Sequence, residues 1–461
     1  MRTTAGPIPA RVTPPSEPLP TLRYLRTVVR NPLEAWPEAI YRRPTYRRRF
    51  LGEDTLFVME PDLVKRVLID EPERFRKSEM MLRLLEPALG SGLLNAHGDH
   101  WRRQRRIVAP VFRPERIRSF VPAMMAAGAR AADRLAALSD HAEVSISHEM
   151  MRTTFEVVAE TILNGADRLD IPAVEQAIGD YLGGTGWVVA WAQLGMPKGF
   201  PFPGSRRVAR ARNYLRRITG EMVAARRSGT PRDDLVQALI DARDEETGEA
   251  ITDGEIVDNL LTFIAAGHET TALALTWTLY LLSLHPDVEA RALAEIEAVG
   301  RGRGLTPDAI EELGYCRQVV QEALRLYPAA PSLLRTPVAP AEIGGEMVDE
   351  KTSMFIPIYS IHRHQGLWDD PDRFDPDRFL PEAAKARHRL AYLPFGGGPR
   401  VCIGMQFSLL ETVAILAELL PRARFVPPAE TPVPVAQVTL RPRGGMRMRV
   451  ARRAEAPARA A

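Results

Sequence analysis

The chain has 461 residues, 45% hydrophobic and 26% charged, a composition that suits a globular protein with a large core. Its 61 Lys and Arg against 58 Asp and Glu leave a net charge of only +3, which argues against bulk nucleic-acid binding. The two cysteines, Cys316 and Cys402, exclude a disulfide-built secreted scaffold and a four-thiolate metal site, and favour a reducing compartment.

The first stretch, MRTTAGPIPARVTPPSEPLP, lacks the apolar core of a signal peptide or anchor, and its prolines predict an extended leader over residues 1–20. From Leu22 to about Asp70 a short helix mixes with strand-like pieces such as Thr55 to Met59. Residues 100–330 are rich in Ala, Leu, Glu and Arg and predict mostly helix. The segment from Pro328 to Pro376 has many prolines and short strands, Phe355-Ile356-Pro357-Ile358 among them. At the C-terminus, Val435 to Leu440 predicts one arm of a hairpin that turns at Gly444-Gly445 and returns as Met446 to Val450, alternating apolar and basic residues. Residues 452–461 predict a frayed tail. Length alone would suggest about three domains. No composition break marks a boundary, however, so the reading is a single catalytic unit over residues 21–451, mainly α with a minor β region.

Within the helical part, Thr252-Asp253-Gly254-Glu255 fits a capping box, and a helical pattern runs from Glu255 to Leu284, stopping at His285-Pro286. So long and apolar a helix should cross the middle of the molecule. A membrane span is disfavoured, because His268, Glu269, Thr270 and Thr271 interrupt the apolar run. Ala266 and Thr270, four residues apart, share one face and form a shallow groove with a hydroxyl beside it and a carboxylate at Glu269 next door. Taken alone, this notch is equally well a kink in which Thr270 bonds back to a carbonyl.

Phe395-Gly396-Gly397-Gly398-Pro399-Arg400-Val401-Cys402-Ile403-Gly404 is the most informative segment. Glycines there let backbone approach a flat group closely. The stretch from Gly404 to Leu420 predicts an amphipathic helix, which puts Cys402 near a helix N-terminus, where N–H groups and the dipole favour a thiolate. Arg400 is placed for a carboxylate. A phosphate loop is not indicated, since its Lys-Ser/Thr pair is missing.

The ten residues resemble the haem-binding signature of the cytochrome P-450 family, Phe-x-x-Gly-x-Arg-x-Cys-x-Gly, with Phe395, Gly398, Arg400, Cys402 and Gly404 in every fixed place. Three further segments are similar to family motifs in the same order. Ala266 to Thr271 looks like the oxygen-activation motif, Glu322-Ala323-Leu324-Arg325 like the Glu-x-x-Arg helix, and Pro376-Asp377-Arg378-Phe379 like the meander whose Arg378 joins Glu322 and Arg325 in a structural network. Trp101 and Arg105 match the helix that supports a haem propionate. The resemblance covers about residues 20–451.

It implies a cytochrome P-450 fold with haem b between the long central helix and the cysteine-loop helix, and Cys402 as thiolate ligand of the iron. Thr270 would hydrogen-bond dioxygen, Glu269 would relay protons from solvent, and Ala266 would leave room for oxygen. Trp101, Arg105, Arg400 and Arg335 would hold the haem carboxylates. A pocket of Leu93, Leu94, Phe263, Ala266, Ala330, Leu333 and Val438 would take a small apolar organic substrate, although each of these residues also suits plain core packing. Arg102, Arg103, Arg106 and Arg113 would give the cysteine side a positive face for an acidic ferredoxin or flavodoxin, fed by its reductase. The expectation is a cytoplasmic, monomeric monooxygenase without a transmembrane anchor. The alternative is a haem-thiolate peroxygenase, isomerase or dehydratase, disfavoured by the intact Glu269-Thr270 pair. A haem-binding sensor or carrier would show no turnover.

Overall fold

The structure, a computed structural model, describes residues 6–453 apart from 51–52, 162–169, 185–186, 189–190, 192–194, 198, 233 and 302–303. The expected tail therefore lies outside the described residues from 454 onward. Arg452 still belongs to a strand, Arg447–Arg452.

Helices dominate, and the strands gather into small sheets, in line with a mainly α fold. The largest sheet has five strands in the order Thr45–Phe50, Glu53–Val58, Thr352–Ile356, Leu333–Pro337 and Phe75–Lys77. Its pairings are antiparallel except between Glu53–Val58 and Thr352–Ile356.

The central helix spans Asp253–Leu284, 32 residues, or about 48 Å at 1.5 Å per residue. Its start is set by the expected capping box: the Glu255 N–H donates to Thr252 Oγ1 (3.3 Å) and the Thr252 N–H donates to Glu255 Oε2 (2.7 Å). It is buried on nearly every face, which is why its sequence is apolar all round. The helix packs against Ile146–Thr161 and Ser205–Ser228, and also against Gly314–Leu326 and the cysteine-loop helix, Met405–Leu419. Among the described residues no helix is long and apolar enough to cross a membrane.

The core falls into two main apolar clusters. One takes in the central helix up to Ile264, together with Leu93, Trp101 and Phe263. The other begins at Ala272 and holds the cysteine-loop helix and much of the large sheet. The notch residues Ala266 to Thr271 therefore sit at the seam between the two.

Three expectations need correction. The leader is extended, but it is part of the fold: Ala10 and Val12 are buried. The Ala10 N–H donates to Tyr280 Oη (3.1 Å), Tyr327 Oη donates to Ala10 O (2.7 Å), and the Val12 N–H reaches Tyr359 Oη (3.4 Å). An extended backbone leaves its polar groups free, and three interior tyrosine hydroxyls take them up. The C-terminal hairpin is also paired differently. Pro434–Ala436 pairs with Leu440–Pro442 around Gln437-Val438-Thr439, whereas Arg447–Arg452 lies between Ala142–Ser145 and Ala423–Val426. Gly444 and Gly445 do turn the chain, at φ +72° and +85°, but toward another sheet. Alternation shows that a strand is half-buried, not which strand it pairs with. Finally, the cysteine-loop helix is buried nearly all round from Leu409 to Leu419 instead of amphipathic.

Candidate active site

The cysteine loop closes by a hydrogen bond from the Cys402 N–H to Phe395 O (3.0 Å). Gly396 and Gly398 take φ +75° and +71°, and a Cβ at Gly398 would run into the Leu68 carbonyl. Only glycine fits there. Cys402 is hemmed in by the loop yet keeps an exposed face. Burial pushes its thiol up, while the Gly404 N–H and Arg105 pull it down. The helix begins only at Met405, with Gly404 as its N-cap, so the expected help from the helix terminus comes through the Gly404 N–H, against the larger effect of burial. A coordinated metal ion would deprotonate the sulfur outright. Among the described residues no group of three His, Cys, Asp or Glu could hold a bare metal ion. A metal at Cys402 therefore needs ligands of the kind a porphyrin supplies.

The loop hangs on a buried polar network. Glu322 and Arg325 are wholly buried, with Arg325 Nε donating to Glu322 Oε2 (2.6 Å) and Nη2 to Oε1 (2.7 Å). Arg378 approaches the same carboxylate at 3.5 Å. Arg325 also donates to the carbonyls of His362, Pro371 and Arg373. His362, which sequence reasoning missed, passes this order on. Burial holds it well below the usual histidine range, so it is neutral. Its Nδ1 donates to Arg325 O (3.0 Å) and its Nε2 accepts from the Leu393 N–H (2.9 Å), two residues before Phe395.

Cations gather on one side of the loop. Arg400 stacks on the Trp101 ring, 3.9 Å from its centroid, and donates to Ala96 O (2.8 Å). Arg335, buried, donates to Leu334 O (2.9 Å). Lys77, also missed, is the ladder partner of Arg335 and donates to Leu94 O. Burial, together with Arg335 and Arg102, takes Arg400 down to about 10, and burial alone takes Arg335 to about 10. Lys77 falls to about 7 through burial, Arg400 and Arg335. Burial lowers Arg105 too. Among the described residues, no ion pair joins any of these four cations to a carboxylate. So much unpaired, desolvated positive charge calls for anionic partners. Together with the glycine loop and the open sulfur, these residues fit haem and its two carboxylates.

At the notch, Ala266 has an exposed face and Thr270 Oγ1 donates to Ala266 O (2.7 Å). The back-bonded threonine and the groove are therefore the same feature. Glu269 is not free toward solvent. It is buried, accepts from Thr439 Oγ1 and from Arg441 Nε (2.8 Å), and forms an ion pair with Arg441. On the neighbouring faces Thr271 and Ser408 hydroxyls bond at 3.0 Å, and burial pushes the Glu411 carboxyl well above the usual carboxylate range.

Of the pocket candidates, Leu93, Phe263 and Val438 share one apolar cluster, with Phe263 edge-on to Phe112 at 5.5 Å. Leu333 lies against Gly396 of the cysteine loop. Ala330 is half-buried, and Leu94 is 39% exposed. The positive face is corrected. Arg102 pairs with Glu73 and Asp99, Arg103 with Glu249 and Glu255, Arg106 with Asp244 and Glu246, and Arg113 with Glu245. Acidic residues, most of them distant in sequence, pair with every arginine of the run.

The cytochrome P450 family model matches residues 14–446. This chain belongs to the cytochrome P450 family. It is 36% identical over 369 residues to a cyclooctat-9-en-7-ol 5-monooxygenase of Streptomyces melanosporofaciens, covering 80% of this chain and 79% of that one. To a pentalenene oxygenase of Streptomyces avermitilis it is 32% identical over 411 residues, covering 87% and 89%. The crystal structure of the cytochrome P450DA heme domain superposes with a TM-score of 0.83 at 25% identity, over 97% of this chain and 99% of that one. The protein is a haem-thiolate monooxygenase with the P450 fold and haem b as cofactor, taking dioxygen and an organic substrate.

Proposed function

We propose that this P450 hydroxylates a cyclic hydrocarbon skeleton of terpenoid type, with electrons from a separate ferredoxin- or flavodoxin-type protein. The observation that carries the substrate class is the likeness to two bacterial oxygenases named for a ring alkenol and a cyclic alkene. The apolar lining of Leu93, Phe263, Ala266, Leu333 and Val438 agrees with it. The two free cysteines fit a cytoplasmic enzyme.

When bound, haem would supply an iron held by the Cys402 thiolate, whose electron donation would favour O–O cleavage. The chain contributes the rest. Cys402 provides the sulfur, held by the glycine loop and the Glu322–Arg325–His362 network. Lys77, Arg105, Arg335 and Arg400 neutralise the cofactor carboxylates, and Trp101 backs Arg400. Thr270 holds its hydroxyl proton on Ala266 O and offers it to dioxygen by rotating about χ1. Glu269, next to Thr270 in the chain, would take a proton from water once the Arg441 pair opens and pass it to that hydroxyl. The apolar clusters on both sides of the notch keep stray water out.

The test is titration of the holoenzyme with cyclic sesquiterpene and diterpene hydrocarbons, read as a shift of the Soret band, followed by turnover with reductant and oxygen. Binding and hydroxylated product are expected. Turnover with peroxide alone would favour the peroxygenase reading, and absence of any Soret shift with these compounds would overturn the substrate class.

A further inference from the structure

We propose that Asn259 is a positioning residue that decides substrate specificity: with Gln104 it fixes the backbone of residues 90–96, and so the reach of Leu93 and Leu94 toward the substrate. The proposal rests on the reading of that loop as a wall of the substrate pocket.

Residues 90–96 lie directly on the central helix, with no side chain of the loop's glycines between. A Cβ at Gly90 would run into the Asp258 carboxylate, and one at Gly92 would meet Asp258 O at 2.6 Å. Hydrogen bonds then decide where the loop sits on that surface. The Leu93 N–H donates to Asn259 Oδ1 (2.9 Å), Asn259 Nδ2 donates to Gln104 Oε1 (3.0 Å), and Gln104 Nε2 donates to Ser91 O (2.9 Å). This relay starts at a backbone N–H, which only donates, and ends at a carbonyl, which only accepts. Neither amide can turn over without losing a bond. A second bond steadies each amide: Asn259 Nδ2 donates to Glu255 O (2.8 Å), and Gln104 Nε2 donates to His100 Nε2 (2.7 Å). Both side chains are wholly buried, so a lost partner leaves a desolvated polar group behind. Asp258 adds a bond from the Ser91 N–H (2.8 Å) and pairs with Arg216 (2.8 Å), but its bond falls two residues before Leu93. Asn259 is the residue that bonds the backbone at Leu93 itself. Leu93 packs in the cluster of Phe263 and Val438, and the next side chain, Leu94, is open. A shift of this backbone changes the pocket wall first, because the cysteine loop is held by the separate Glu322–Arg325–His362 network.

The test titrates holoenzymes of the natural sequence, N259L, N259D and L94A with imidazole and with 4-phenylimidazole, read as the shift of the Soret band. Amide hydrogen exchange over residues 91–94 is the second readout. Imidazole needs only the iron, whereas the phenyl ring must also fit the pocket. The expected result in N259L is natural affinity for imidazole, about tenfold altered affinity for 4-phenylimidazole, and faster exchange at residues 91–94. N259D keeps the acceptor for the Leu93 N–H and opposes Gln104 Oε1, so a smaller change in the ratio of the two affinities is expected. Should N259L fail to take up haem, N259D carries the comparison. A lower melting temperature with an unmoved ratio is what a purely structural role would give, and it would overturn the proposal. An altered ratio in L94A beside a natural ratio in N259L and N259D would overturn the role of Asn259 and leave the pocket reading intact. A natural ratio in L94A would overturn the loop's place at the pocket, and the proposal with it.

Discussion

At the scale of single residues, the chemistry turns on hydroxyl and carboxylate positions that sequence order alone does not give. Thr270 was visible as a hydroxyl one turn from Ala266, and the helix does place them together. Its substitution by Ala is expected to retain haem and substrate binding while diverting most reducing equivalents to peroxide or water. T270S should restore coupling, and the ratio of product to reductant consumed checks both. Glu269 was legible as an acid, but not as one half of an ion pair, because Arg441 is 172 positions away and reaches it only through the turn at Gln437-Val438-Thr439. Lys77 carries no motif either. It emerges only when the Phe75–Lys77 strand is paired with Leu333–Pro337. Substituting Arg441 by Gln frees the Glu269 carboxylate from its ion pair, and the expected outcome is a changed solvent isotope effect on turnover with the substrate affinity preserved. An unchanged isotope effect would count against proton delivery through Glu269.

At the scale of elements, the sequence made the central helix plain, from its capping box to His285-Pro286, because those signals are local. The C-terminal strands were misassigned because pairing is not local. The cysteine loop was the most legible part of the site, since its glycines and its Cys lie in one segment. What supports it was half legible: Glu322 and Arg325 are i,i+3 neighbours, whereas His362 and the carbonyls Arg325 bonds come from elsewhere. Removing the carboxylate in E322A leaves Arg325 charged and buried, and is expected to cost about 3–5 kcal/mol. Denaturant unfolding of the holoenzyme measures it. A cost below 1 kcal/mol would mean that the network is not holding the loop. Gly398→Ala puts a Cβ into the Leu68 carbonyl at a positive φ, so poor haem incorporation is expected.

At the scale of the whole molecule, two apolar clusters meet at the notch, and the N-terminal segment is strapped over three interior tyrosines. Deleting residues 1–13 strips Tyr280, Tyr327 and Tyr359 of these backbone partners. A lower melting temperature with an unaltered haem spectrum is expected. Burial also holds His268 and His362 below the usual histidine value of about 6.5. Each of these two histidines thus binds fewer protons in the folded protein than in the unfolded chain, so its contribution to stability is lost as the pH drops through about 6.5. Unfolding curves at pH 7.5 and 5.5 check this, and equal stability at both would contradict it.

The chemistry of the whole molecule depends on the sulfur at position 402 binding iron. The most direct measurement is the spectrum of the reduced, carbon-monoxide-treated holoenzyme beside that of Cys402→His. A thiolate-type carbonyl band is expected for the natural sequence, replaced by an imidazole-type band in the variant. An imidazole- or water-type band in the natural protein, or a thiolate-type band surviving in the variant, would contradict it.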